Sequence, residues 1–219
     1  MTDQPANDAE PGFLSLATAR SLVAEIERLK AQVVQLEDHV GKLEKLAHLD
    51  PLVRLPNRRG LFRDLEHLVS RINRYGGTAA MIFVDVDGMK QINDRFGHLT
   101  GDAALVKIAR ILVDSVRASD TVGRLSGDEF IILLLNIDEL GAWNMALRVV
   151  EATLASPLEI NNHVVPLSIA VGVTAIKAGD QPHDIISRAD KAMYGIKAAL
   201  ASVQKTEGAS EQEKPSVLI

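Results

Sequence analysis

Apolar positions along this chain change their spacing several times, and each change marks a different kind of element. From about residue 19 they recur every three and four residues. Ala19, Ile26, Val33, Val40 and Ala47 take the a positions of a heptad, and Leu22, Leu29, Leu36 and Leu43 take the d positions. β-branched residues at a with leucine at d favour a parallel two-stranded coil. The flanking charges agree, since Glu25 at g can meet Lys30 at e of a partner and His39 at g can meet Glu44. Residues 13–48 are therefore expected to form a dimeric parallel coiled coil; the alternative is a lone amphipathic helix packed on its own domain.

Asp50-Pro51 breaks that period. Asn57 is positioned to cap a helix running through Leu61, Leu65, Leu68 and Ile72 and stopping at Tyr75-Gly76-Gly77. Ala79 to Val84, short and continuously apolar, reads as a buried strand that ends on Asp85. A helix is expected from about Gly101 to Val116. Then come hairpin strands near Thr121 to Leu125 and Glu129 to Leu135, joined at Ser126-Gly127-Asp128. A helix from about Asp138 to Leu154, a strand around Val164 to Ala175 and a helix from about His183 to Leu200 complete the pattern. Helices alternating with strands, one pair of them a hairpin, imply an α/β sheet of mixed direction. Residues 1–12 and 202–219 lack periodicity, and both are expected to be disordered.

Composition narrows the function classes. With 219 residues, 47% of them hydrophobic, the chain can bury one sizeable core plus an extension. A net charge of −5 argues against a protein held to nucleic acid or anionic lipid by a general positive field, while leaving room for a local phosphate pocket. The absence of cysteine excludes disulfides, a thiolate nucleophile and a cysteine-type zinc site, so any metal needs oxygen or histidine ligands. No run of about 18 apolar residues and no leader pattern is present, and a cytoplasmic location is expected.

Two acidic clusters stand where strands end: Asp85 with Asp87, and Asp128 with Glu129. Carboxylates on apolar strands are costly to bury unless they are paired or bound to a cation. If the two strands are neighbours, Asp85 and Asp128 converge on a seat suited to Mg²⁺ carried in with substrate phosphates. Taken singly, each is as compatible with an ordinary turn former. Gly97-His98, Gly101-Asp102 and Gly127 are expected to form compact turns where backbone approaches a ligand. Asn93, Asp94 and Asp102 supply amide and carboxylate groups able to read a purine edge, and Lys90 can meet a phosphate.

Four motifs, in order, carry a resemblance from about Asp50 to Leu200. They are Asp50-Pro51-Leu52 with Leu55-Pro56-Asn57-Arg58; Asp85-Val86-Asp87 through Lys90, Asn93-Asp94, Gly97-His98 and Gly101-Asp102; Ser126-Gly127-Asp128-Glu129-Phe130; and Ala189-Asp190-Lys191-Ala192-Met193-Tyr194 with Lys197. Together they resemble the GGDEF diguanylate cyclases. The resemblance implies a mainly antiparallel central sheet flanked by helices, here over about residues 49–201. It also implies a homodimer that condenses two GTP into cyclic di-GMP and two pyrophosphates. By this resemblance Asp85, Asp128 and the Val86 carbonyl ligate Mg²⁺ or Mn²⁺, two ions per GTP. Glu129 completes the cluster, and it or Asp128 assists deprotonation of the attacking 3′-hydroxyl. Asn93 and Asp102 would read guanine with Asp94 and His98 beside them, Lys90 and Lys197 would hold the β- and γ-phosphates, and Ser126 and Gly127 would pack on the nucleotide.

Arg117-Ala118-Ser119-Asp120 occupies the place of the family's inhibitory site for its product, with Arg148 at the position of a second arginine of that site. Four positions depart from the family pattern: Ser126 replaces the first glycine of the signature, Val53-Arg54 replaces Thr-Gly, and Ala201 stands where an arginine follows Lys197. The alternative function is a catalytically weak or silent module that binds cyclic di-GMP or GTP and signals through a protein partner. An upstream protein partner is also a possible source of input to the cyclase.

Overall fold

The computed structural model describes residues 16–160 and 162–210, with side chains placed for 20–36, 47–160 and 162–198. The disorder expected of residues 1–12 and 211–219 lies outside these, whereas residues 202–210, also expected to be disordered, continue the last helix. The chain divides into two units at Ala47/His48.

The first unit holds helix α1, Leu16–Ala47. Along it Leu22, Ile26, Leu29, Val33 and Leu36, five of the a/d residues read from the sequence, are each 47–64% exposed. Glu25 pairs with Arg28 one turn on, a solvent-facing contact that adds little.

The second unit contains α2 (Arg58–Tyr75), β1 (Ala79–Val86), α3 (Met89–Phe96), α4 (His98–Ser115), β2 (Thr121–Ser126), β3 (Glu129–Leu135), α5 (Glu139–Leu154), β4 (Leu158–Ile160), β5 (His163–Val165), β6 (Ile169–Ile176) and α6 (Pro182–Ser210). Four strands form the central sheet in the order β2-β3-β1-β6. Every pairing is antiparallel, so the direction expected to be mixed but mainly antiparallel is antiparallel throughout among the described residues. Strand β1 reads as one continuous apolar run because both of its faces are covered. Ala79, Met81 and Phe83 meet α2 and α6 on one side, while Ala80, Ile82, Val84 and Val86 join the core under α4 and α5 on the other.

Local signals set the element ends. The Asn57 side chain accepts from the Arg59 and Gly60 amides at the start of α2, and Asp138 accepts from Gly141 at the start of α5. The strand expected across Val164 to Ala175 is divided: β5 closes a small hairpin with β4, and β6 begins only at Ile169. Pro166 lies in the gap, where its missing amide interrupts a ladder. Helix α3, which the apolar spacing did not announce, has only Met89 and Ile92 buried, too few anchors to establish a period over eight residues. Gly101 is not in a turn as expected. It lies inside α4, and the break between α3 and α4 falls at Gly97, whose φ of 84° only glycine adopts readily.

Candidate active site

The site gathers at one end of the sheet because antiparallel register brings distant acidic residues to the same edge. Asp85, the penultimate residue of β1, sits directly across from Glu129, the first residue of β3. One step further the Val86 amide donates to the Asp128 carbonyl at 3.1 Å. A break in register between Arg124 and Ser126 lets β2 reach Glu129 again, leaving Gly127 and Asp128 as the hairpin tip. The Ser126 hydroxyl donates to Glu129, so the residue that departs from the family pattern is integrated into the turn. Asp85, Asp87, Asp128 and Glu129 are all half-buried.

Helix α6 supplies the counter-charge. Ala189, Met193 and Lys197 lie on successive turns of one face, and that face packs on β6 at Gly172. A methyl group at Gly172 would lie 2.1 Å from the Ala189 carbonyl oxygen and 2.5 Å from the Met193 amide nitrogen, so only glycine permits this approach. The seating brings the Lys197 ammonium onto the Asp85 carboxylate and to 3.0 Å from Asp87 Oδ1. Partial burial pushes the Lys197 ammonium down, but the hydrogen bonds and charges of Asp85 and Asp87 outweigh it and the net shift is upward.

The first motif is tied to the signature by a contact that no local sequence rule supplies. Residues 48–57 close on themselves: the Asp50 amide donates to the Leu55 carbonyl and the Asn57 amide to His48. Asp50 Oδ1 accepts from the Leu52 and Val53 amides, at 2.9 and 3.0 Å. Arg124 Nη1 then reaches Asp50 at 3.2 Å, while its Nε and Nη2 donate to the Gly127 carbonyl at 2.9 and 2.6 Å. The two partners are 74 positions apart. Asp50 opens the first motif and Arg124 lies two residues before the signature, but their pairing emerges only when β2 packs beside the loop. Within that loop Arg54, standing where the family has glycine, holds a left-handed φ of 60°.

The proposed purine readers share one corner. Asn93 on α3 is half-buried and its amide fits against Gly101 of α4, where a methyl group would lie 1.9 Å from Asn93 Oδ1. Asp102 follows on the exposed side, and Asp94, His98 and Lys90 are likewise exposed on α3 and α4. Two cavities flank the acidic edge. One, of about 420 Å³, is lined by Asp50, Arg58, Arg59, Arg124, Ser126 and Gly127. The other, of about 560 Å³, includes Asp87, Gly88, Arg95, Phe96 and His163.

Arg117 and Asp120 line a separate groove of about 350 Å³ between α2 and α4, with Leu55, Asp64 and Val116. Asp120 is partly committed there, accepting from the Arg117 and Leu135 amides. Arg148 is exposed on α5 and does not line that groove. The side chain of Ala201 lies outside the described residues.

All candidate ligands are hard oxygen donors, which suit Mg²⁺ or Mn²⁺. Among the described residues no three acidic or histidine side chains converge into a complete cage. Mg²⁺ ordinarily binds through one or two carboxylates together with substrate phosphates, and carboxylates are what this edge offers. An ammonium already sits at the Asp85 edge, so the edge accommodates a cation.

An antiparallel sheet flanked by helices, with acidic strand ends and a lysine at one edge, is in keeping with what the resemblance drawn from the sequence implies. Residues 47–202 match the family described as diguanylate cyclase, GGDEF domain, and the chain belongs to that family. It is 33% identical over 177 residues to the bifunctional diguanylate cyclase/cyclic di-GMP phosphodiesterase MucR of Pseudomonas aeruginosa, covering 80% of this chain and 24% of MucR. Against the diguanylate cyclase TpbB of the same organism it is 35% identical over 176 residues, covering 78% of this chain and 40% of TpbB. The crystal structure of the diguanylate cyclase SiaD in complex with its activator SiaC, also from P. aeruginosa, superposes with a TM-score of 0.69 at 29% identity, over 84% of this chain and 71% of SiaD. The chain thus spans well under half the length of these two curated relatives.

Proposed function

We propose that this chain is a diguanylate cyclase that condenses two GTP into cyclic di-GMP with release of two pyrophosphates. The observation that carries the reading is the β1/β3 register, which sets Asp85 opposite Glu129 at the sheet edge reached by Lys197. In this reading Asp85, the Val86 carbonyl and Asp128 hold the divalent cation. Once bound with the triphosphate, the ion neutralises phosphate charge and polarises the α-phosphate. Glu129 or Asp128 accepts the proton of the 3′-hydroxyl, Asn93 and Asp102 orient guanine with Asp94 and His98 nearby, and Lys90 and Lys197 hold the β- and γ-phosphates. Ser126 and Gly127 give the nucleotide a close backbone floor. Positioning and charge neutralisation supply most of the acceleration in such transfers.

One GTP-loaded domain lacks its reaction partner, so the reading requires two chains. The uncovered stripe Leu22, Ile26, Leu29, Val33 and Leu36 on α1 supports a parallel coiled-coil homodimer. Such a coil raises the local concentration of one domain near the other toward the millimolar range. Replacing Leu29 and Leu36 with glutamate should give monomers without turnover, and full activity in a monomer would refute this link. Product control is assigned to Arg117 and Asp120, with Arg148 contributing from elsewhere on the surface. Added cyclic di-GMP should slow wild type more than Arg117→Ala, and equal responses would remove the site.

SiaD is captured with a protein activator, which supports a protein partner as the source of input here. The reading puts the activity in the cytoplasm, and among the described residues no helix is long and apolar enough to cross a membrane. The decisive assay incubates the full chain with GTP and Mg²⁺ or Mn²⁺ and separates the nucleotides, with Asp128→Ala as control. Cyclic di-GMP from wild type alone is expected. Binding of cyclic di-GMP without synthesis would instead identify a receptor module, the outcome that Val53-Arg54 and Ala201 would then explain.

A further inference from the structure

Lys197 occupies one of the two carboxylates assigned to the divalent cation. Its ammonium contacts the Asp85 carboxylate and lies 3.0 Å from Asp87 Oδ1. An ion bound to the Asp85 carboxylate at about 2.0–2.1 Å would meet the ammonium at close range, with like charges in a half-buried edge. The lysine does not drift there by chance. Helix α6 is seated at contact distance on Gly172, and the Lys197 side chain is only 34% exposed. A triphosphate alters the balance by offering the ammonium other anionic oxygens within reach of a flexible four-carbon stem.

We propose that Lys197 is a place-holder for the divalent cation: its ammonium occupies the carboxylate edge until a triphosphate draws it away, so the metal binds strongly only together with nucleotide. The proposal rests on the reading of Asp85 as a metal ligand. Metal and nucleotide are then coupled through one side chain, and by linkage each strengthens the other by the same factor. The bare protein stays electrostatically satisfied without drawing metal from solution.

The test counts Mn²⁺ bound to the full chain from the electron paramagnetic resonance signal of the free ion. Without nucleotide, Lys197→Met should bind Mn²⁺ more tightly than wild type by about fivefold or more, the lower end of ordinary inter-site couplings. Lys191→Met removes the same charge from an exposed position on the same helix and should match wild type. Adding a GTP analogue with a methylene between the α- and β-phosphorus should tighten Mn²⁺ binding in wild type and much less in Lys197→Met. Lys197→Gln repeats the comparison with a polar side chain if the methionine variant misfolds. Equal Mn²⁺ affinity in wild type and Lys197→Met without nucleotide overturns the proposal, as does a nucleotide-free affinity in Lys191→Met raised as far as in Lys197→Met, which would reveal a general field effect. No Mn²⁺ binding by any variant, even with the analogue, would remove the metal edge itself. Failure of cyclic di-GMP synthesis with the Mn²⁺ pattern intact would remove only the cyclase reading.

Discussion

Gly172→Ala should damage the site through helix α6. The new methyl group would lie 2.1 Å from the Ala189 carbonyl oxygen, 2.5 Å from the Met193 nitrogen and 2.7 Å from Met193 Cβ, where ordinary contact begins near 3.4 Å. Two of these neighbours are helix backbone, so no side-chain rotation relieves the clash and α6 must retreat by roughly an ångström. Overpacking of this kind costs about 1–3 kcal/mol. For a domain of this size that lowers the thermal midpoint by about 2–12 °C. The retreat also carries Lys197, one turn beyond Met193, away from Asp85. A displacement near 1 Å in a positioning group can cost on the order of 100-fold in turnover. The assay pairs calorimetry with cyclic di-GMP formation at saturating GTP. A Gly172→Ala protein with wild-type midpoint and turnover would refute the claim that helix-strand contact at this glycine sets the lysine.

Three further outcomes follow from contacts around the site. Arg124→Ala leaves the Asp50 carboxylate and the Gly127 carbonyl without their guanidinium and should lower stability by roughly 2–3 kcal/mol in urea unfolding, short of the about 3–5 kcal/mol of a fully buried pair. A loss below about 0.5 kcal/mol, within the range of ordinary surface substitutions, would show that this tie is idle. Arg54→Gly removes a left-handed backbone penalty of about 1–2 kcal/mol, offset by the greater freedom of glycine when unfolded, and should stabilise by roughly 0.5–1 kcal/mol; destabilisation would contradict it. Finally, the Arg188 side chain holds the Asp180 carboxyl below its usual range, outweighing the opposing effect of burial. A depressed carboxyl contributes stability above its unfolded value, near 4, and loses it as pH falls through the folded value. Asp180→Asn should therefore flatten the acid limb of the stability curve below about pH 4, and an unchanged limb would disprove the linkage.

Much of this protein was determined by local chemistry that a linear reading can use. The heptad stripe, the Asn57 cap, the unbroken apolar run of β1 and the turn at Ser126-Gly127-Asp128 each follow from the preferences of neighbouring residues. The acidic strand ends were conspicuous for the same reason, being charges set against apolar runs. What tertiary structure decided lies in pairings between remote segments. Arg124 finds Asp50 across 74 positions, and Lys197 reaches Asp85 across 112. Gly172 carries no signal in the sequence and Gly101 reads as a turn former, yet their task is to leave room for α6 and for Asn93. The reason is physical: period and capping report what a residue does to its own backbone, whereas register and close approach depend on which surfaces meet after the chain has folded.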